Sequence, residues 1–185
     1  MLRGLILVGA FLVALGGGAA HGEDGQAAPP SVPSLTTAMR DGVLALPHLY
    51  GKPLVSESFK DKVVVVSFFA NWCPFCLVEF RNLTAVDAAY GERGLEIVSI
   101  NLFEEWGGFS GPAKLRVFLE RFKPGFSVVK GDDRVAALFG DVRRIPTLFV
   151  FDRTGREVLH FVNEWGGTKR YVELEELKAA IESAL

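Results

Sequence analysis

At 185 residues the chain has room for one domain with a sizeable core, plus an extension. Lysine and arginine total 20 against 22 aspartate and glutamate, and the net charge of -2, with no basic run interleaved with aromatics, excludes an electrostatic case for nucleic acid. An aromatic fraction of 11%, with 15 phenylalanines, argues for a filled core and against a disordered chain.

The N-terminus reads as an export signal. Arg3 supplies a short positive region, Leu5 to Leu15 an apolar stretch, and Gly16 to Ala20 small residues suited to signal peptidase. Residues 1–20 are therefore expected to be a cleaved signal. An uncleaved membrane anchor is the rival, because the uncharged run from Gly4 to Ala20 lies at the short edge of what spans a bilayer. Either way the folded part is expected outside the cytoplasm, in the periplasm or its equivalent, where disulfides persist. Residues 21–34 are polar and rich in Gly, Ala and Pro, which predicts a flexible linker. One domain, 35–185, is expected to follow.

Within it, Val43 to Val55 reads as a short hairpin or extended arm turning near Gly51. Ser56 to Lys62 is a polar connection. Val63 to Phe69 is apolar at almost every position, as suits a central strand covered on both faces. Leu77, Phe80, Leu83, Val86 and Tyr90 recur at helical spacing and predict a helix from Pro74 to about Tyr90, ended by Gly91 and Gly94. A strand over Leu95–Leu102 and an aromatic loop over Phe103–Gly111 come next. A second helix is expected from Pro112 to Phe122, then a short strand over Phe126–Val129 and a short helix over Asp132–Phe139. Thr147–Phe151 and Glu157–Val162 read as strands joined by the turn Asp152-Arg153-Thr154-Gly155, and a last helix runs from about Tyr171 to Ala184. The order predicts an α/β fold, a mixed central sheet with helices on both faces.

Cys73 and Cys76 are the two cysteines of the chain, and they stand where the strand ending at Phe69 gives way to a helix. Two cysteines with this spacing can close a small disulfide ring. The free N–H groups and dipole of a helix N-terminus favour a thiolate, so Cys73 is the candidate nucleophile and Cys76 the candidate resolving thiol. Pro74 suits the first helical position, and Phe75 adds no charge between the thiols. Three rivals carry less. A zinc site needs further ligands, and His21, His48 and His160 are scattered. Covalent haem would need His where Leu77 stands. A structural disulfide closing so short a loop contributes little stability. No metal and no cofactor are expected.

Trp72-Cys73-Pro74-Phe75-Cys76 after an apolar strand resembles the active site of the thioredoxin fold. Arg144-Ile145-Pro146-Thr147 resembles the segment in which such proteins carry a cis-proline facing the dithiol. That resemblance implies a cis Pro146, with Ile145 offering its backbone to an extended substrate chain. Leu46-Pro47, Gly51-Lys52-Pro53, Glu79 three residues after Cys76, and the extra helix between Leu102 and Asp132 resemble the exported TlpA/ResA-like branch. The branch implies an N-terminal β extension, a helical insertion, and thiol-disulfide exchange with protein partners in the reducing direction, some members serving cytochrome c maturation. Electrons would come from a membrane or periplasmic redox donor. Introduction of disulfides is the enzymatic rival, and a metallochaperone using the same thiols the non-enzymatic one.

The chain also departs from thioredoxins proper. Their buried Asp before the first Cys and Lys on the next strand correspond here to Ser67 and Ser99, which removes an acid-base pair and leaves water or Glu79 to move the proton of the resolving thiol. Arg81 replaces their helix-kinking proline, so a straighter helix is expected. With Ser67 and Phe75 in place, activation of Cys73 is expected to rest mainly on the helix terminus. The loop Glu104–Phe109 is either a partner selector or a surface loop with one packed Trp. Trp165-Gly166-Gly167 reads as surface.

Overall fold

The computed structural model describes Met1 and residues 34–185, so the expected signal after Met1, and the expected linker before Ser34, lie outside the described residues. Ser34 itself bridges to Arg156. Among the described residues no helix is long and apolar enough to cross a membrane.

The first elements depart from expectation. No hairpin forms over Val43–Val55: helix α1 (Thr37–Leu44), not expected from the sequence, comes first, and the extended-arm alternative is met by one short strand, β1 (His48–Tyr50). The reason is local. Thr36 caps the helix by accepting the Met39 N–H at 3.2 Å, and Met39, Gly42 and Val43 fall on one buried face at helical spacing. Gly42 allows a close approach, since a Cβ there would lie 2.5 Å from Leu138 Cδ1.

The remaining elements follow the predicted order: β2 (Val63–Phe69), α2 (Pro74–Tyr90), β3 (Leu95–Asn101), α3 (Pro112–Phe122), β4 (Ser127–Lys130), α4 (Asp133–Leu138), β5 (Thr147–Phe151), β6 (Glu157–Val162) and α5 (Leu174–Ala184). Six strands form one sheet in the order β1-β4-β3-β2-β5-β6. β2, β3 and β4 run parallel, while β5, β6 and β1 pair antiparallel with their neighbours. β1 thus extends the sheet by pairing with β4.

β2 is buried at every position, and its side chains alternate between two cores. Val63, Val65 and Phe69 pack with α2, α3 and α5; Val64, Val66 and Phe68 pack with α1 and α4. On the first face the Phe80 ring meets Phe69, Phe118, Phe122 and Phe126 at centroid distances of 5.0–5.4 Å, which ties α2 to α3. α2 runs unbroken through Arg81.

Strand order places the site. The C-terminal end of β2 lies between that of β3 and the start of β5, with Phe69 opposite Asn101 and Phe68 opposite Thr147. Three loops therefore meet there: the segment before α2, the segment after β3 and the segment before β5.

Candidate active site

Cys73 is the N-cap of α2, with extended backbone, and its Sγ accepts the Cys76 N–H at 3.3 Å. Pro74 follows at the first helical position, where its missing N–H would have had no partner. Both cysteines are free thiols and buried. The Cys73 thiol is held below the ordinary range, first by the hydrogen bond from the Cys76 side chain and then by the backbone N–H groups of Cys76 and Phe75, with burial opposing. The helix terminus therefore helps, but it is not the main cause that the sequence pointed to. The neighbouring thiol is larger.

Cys76 sits deeper, and its thiol is pushed well above the ordinary range, first by burial and then by Cys73, with Glu79 adding to it. Glu79 lies one helical turn further on and is 1% exposed. Ser67, on the face of β2 that packs against α2, donates its hydroxyl to Glu79 Oε1 at 2.9 Å. Burial pushes the Glu79 carboxyl up to about 8, against the Ser67 hydrogen bond. The departure from the thioredoxin pattern at Ser67 is thus filled from the helix side. The carboxyl that β2 lacks is supplied by α2.

The surroundings come from the other two loops. The Ile145–Pro146 bond is cis, and the Ile145 carbonyl oxygen stands 4.0 Å from Cys73 Sγ. Asn163, at the end of β6, holds that segment twice: its N–H donates to the Pro146 carbonyl and its Nδ2 to the Ile145 carbonyl, each at 3.0 Å. Trp72 donates its indole N–H to the Phe103 carbonyl at 2.9 Å and stacks on Trp106 with centroids 5.3 Å apart. Glu104 Oε2 accepts the Asn71 N–H at 3.0 Å and Asn101 Nδ2 at 2.7 Å, which fastens the loop after β3 to the approach to Cys73. The Arg170 guanidinium lies over the Phe75 ring, 5.6 Å from its centroid.

The structure therefore brings together Trp72, Cys73, Pro74, Phe75, Cys76, Glu79, Ile145 and Pro146. It adds Ser67, Glu104, Asn163 and Arg170. Nothing in the spacing of Asn163 or Arg170 marks them in sequence, because both reach the site only through pairing and packing distant along the chain. A paired dithiol with one lowered and one raised thiol can attack a disulfide and then resolve the product.

A family model described as Redoxin matches residues 24–180. Among curated relatives, the thiol-disulfide oxidoreductase ResA of Bacillus thuringiensis is 25% identical over 117 residues, which cover 63% of this chain and 64% of that protein. ResA of Bacillus thuringiensis subsp. konkukian is 27% identical over 130 residues, covering 69% and 68%. The chain thus spans a little under two thirds of the length of the first of these relatives. Among solved structures, a thiol:disulfide interchange protein of the thioredoxin family from Chlorobium tepidum superposes with a TM-score of 0.60 at 24% identity, over 85% of this chain and 97% of that one. A secreted Mycobacterium tuberculosis disulfide oxidoreductase homologous to E. coli DsbE gives a TM-score of 0.60 at 20% identity, over 77% and 98%. At these identities the likeness shows the fold, which is thioredoxin-like.

Proposed function

The chain belongs to the Redoxin family, among its TlpA/ResA-like members, and we propose that it is an exported thiol-disulfide oxidoreductase that reduces protein disulfides through Cys73 and Cys76. The observation that carries this reading is the placement of the dithiol. Cys73 is the N-cap of α2 and its Sγ accepts the Cys76 N–H at 3.3 Å, with Cys76 buried behind it. The cis Ile145–Pro146 segment faces Cys73, with the Ile145 carbonyl 4.0 Å from its sulfur.

The Cys73 thiolate attacks one sulfur of the partner disulfide, forming a mixed disulfide and expelling the other sulfur as a thiolate. Cys76, after losing its proton, attacks Cys73 Sγ, closes the Cys73–Cys76 disulfide and expels the second partner sulfur. Two electrons and two protons pass from the dithiol to the partner. A dithiol donor in the membrane or periplasm restores the reduced pair. Glu79, in its ionised form, receives the Cys76 proton and passes it to solvent; with its carboxyl pushed up to about 8, that form is populated increasingly as pH rises toward 8. Ile145, whose carbonyl stands by the Cys73 sulfur and which precedes the cis Pro146, offers backbone groups to the partner as an added strand, and Trp72 adjoins Cys73 in the chain with its indole fixed to the Phe103 carbonyl. Arg3, the apolar run Leu5–Leu15 and the small residues up to Ala20 support export, through either a cleaved signal or an anchor.

We favour the reducing direction, and what supports it is that no cation among the described residues is placed at the Cys73 sulfur and that burial works against its thiolate. Strong oxidants owe their potential to a heavily stabilised reduced form, and here burial opposes the hydrogen bonds that lower Cys73. A reductive role in cytochrome c maturation is one setting consistent with that direction. The test is the reduction potential of the Cys73–Cys76 couple, equilibrated against glutathione. A value more reducing than about -200 mV is expected, and one near -120 mV would reverse the direction to disulfide formation.

A further inference from the structure

Three aromatic side chains, Trp106, Phe109 and Trp165, are 61%, 59% and 87% exposed; the first two pack against Trp72, the neighbour of Cys73, and Trp165 shares a groove with Trp72 and Ile145. Large apolar side chains gathered in water mark a binding surface. Trp72, Trp106 and Trp165 line a groove of about 330 Å³ that has Ile145 and Asn163 among its walls. Its charged lining is Arg143 and Arg144, with no carboxylate. Their ion pairs, to Asp141 at 2.7 Å and Glu164 at 3.5 Å, run to residues outside that lining, and exposed pairs of this kind change partners at little cost. Asn163 Oδ1 is buried and has no hydrogen-bond partner among the described residues, although its Nδ2 is engaged by Ile145.

We propose that this groove selects its partners: it takes an extended polypeptide with an aromatic side chain and a carboxylate close to the reacting cysteine. The aromatic group packs among the tryptophans, and the carboxylate meets Arg143 and Arg144. The inference rests on Cys73 being the attacking thiol, and it adds the feature that separates one protein disulfide from another. Trp165, read from the sequence as plain surface, becomes a specificity residue.

The experiment uses three peptides of equal length, each with one cysteine held as a mixed disulfide with thionitrobenzoate, and follows release of the coloured thiol while a chemical dithiol regenerates the Cys73–Cys76 pair, its direct reaction with each peptide being subtracted. The cysteine is flanked by Phe and Glu, by Phe and Lys, or by Gly and Ser. For the unaltered protein, kcat/KM for the Phe/Glu peptide is expected to exceed that for Phe/Lys by about tenfold. The double variant Arg143→Glu, Arg144→Glu is expected to reverse that order. Trp165→Ala is expected to bring the Phe/Lys and Gly/Ser peptides within about twofold of one another, chiefly through KM. Turnover of all three peptides at one rate, or an order unmoved by either variant, overturns the groove's role while leaving the exchange chemistry standing. No turnover of any peptide overturns both. A concentration-dependent dimer abolished by Trp165→Ala would assign the aromatic surface to a second copy of this chain, and that also overturns the proposal.

Discussion

Cys73 and Cys76 occupy one helical turn and yet shift in opposite directions, because the Cys76 thiol donates to Cys73 while burial weighs most on Cys76. The cap position gives Cys73 the N–H of Cys76 at 3.3 Å, and burial leaves Cys76 in surroundings that disfavour a thiolate. Glu79 belongs to the same problem. Its carboxyl is pushed up to about 8 in the folded protein, whereas an unfolded chain would ionise it near 4.5. Between those values the folded state holds a proton that the unfolded state has lost, so the carboxyl's contribution makes stability fall as pH rises. The slope is about 1.4 kcal/mol per pH unit for one proton. Urea unfolding from about pH 5 to pH 8 should show Glu79→Gln lacking that loss and more stable than the unaltered protein at the upper end. The same variant should also lose the pH inflection near 8 in the resolving step of exchange. An unchanged profile would remove Glu79 from proton transfer.

At the scale of elements, α2 both presents the dithiol and anchors the first core through Phe80. Phe80→Ala would open a cavity among Phe69, Phe118, Phe122 and Phe126, at a cost of about 3–5 kcal/mol. Thermal unfolding should register it as a Tm lowered by roughly 10 °C. A loss below about 1 kcal/mol would mean that α3 closes over the gap. β2, α2, β5 and β6 were legible in the sequence because their periodicity agrees with their burial: β2 is apolar throughout and covered on both faces, and α2 keeps its apolar stripe from Phe80 to Tyr90. α1 was hidden. Its cap, Thr36, has Met39 where a Glu or Gln would have signalled a capping box, and the apolar Val43–Leu46 imitates a strand. What makes it a helix is burial of Met39 and Val43 together with the close fit of Gly42 against Leu138, and such contacts leave no mark on local spacing.

Over the whole molecule, the sheet order gathers three loops that sequence alone leaves far apart. Cys73, Cys76 and Pro74 could be read from their own spacing. Ile145 and Pro146 needed resemblance to be connected to them, and Asn163, Glu104 and Arg170 needed the fold, since each meets the site through a hydrogen bond or ring contact to a distant segment. Under the proposed function labour is divided: α2 holds the two sulfurs, and the groove built by the segments after β3, before β5 and after β6 is the proposed site of partner selection. The central claim is that Cys73 attacks and Cys76 resolves. It is tested most directly by trapping the intermediate: Cys76→Ala is incubated with a disulfide-bonded protein, and the adduct is located by mass spectrometry. A stable mixed disulfide at Cys73, absent from the converse Cys73→Ala variant, is the predicted result. An equal yield of adduct at Cys76 in Cys73→Ala, or no adduct in either, would contradict it.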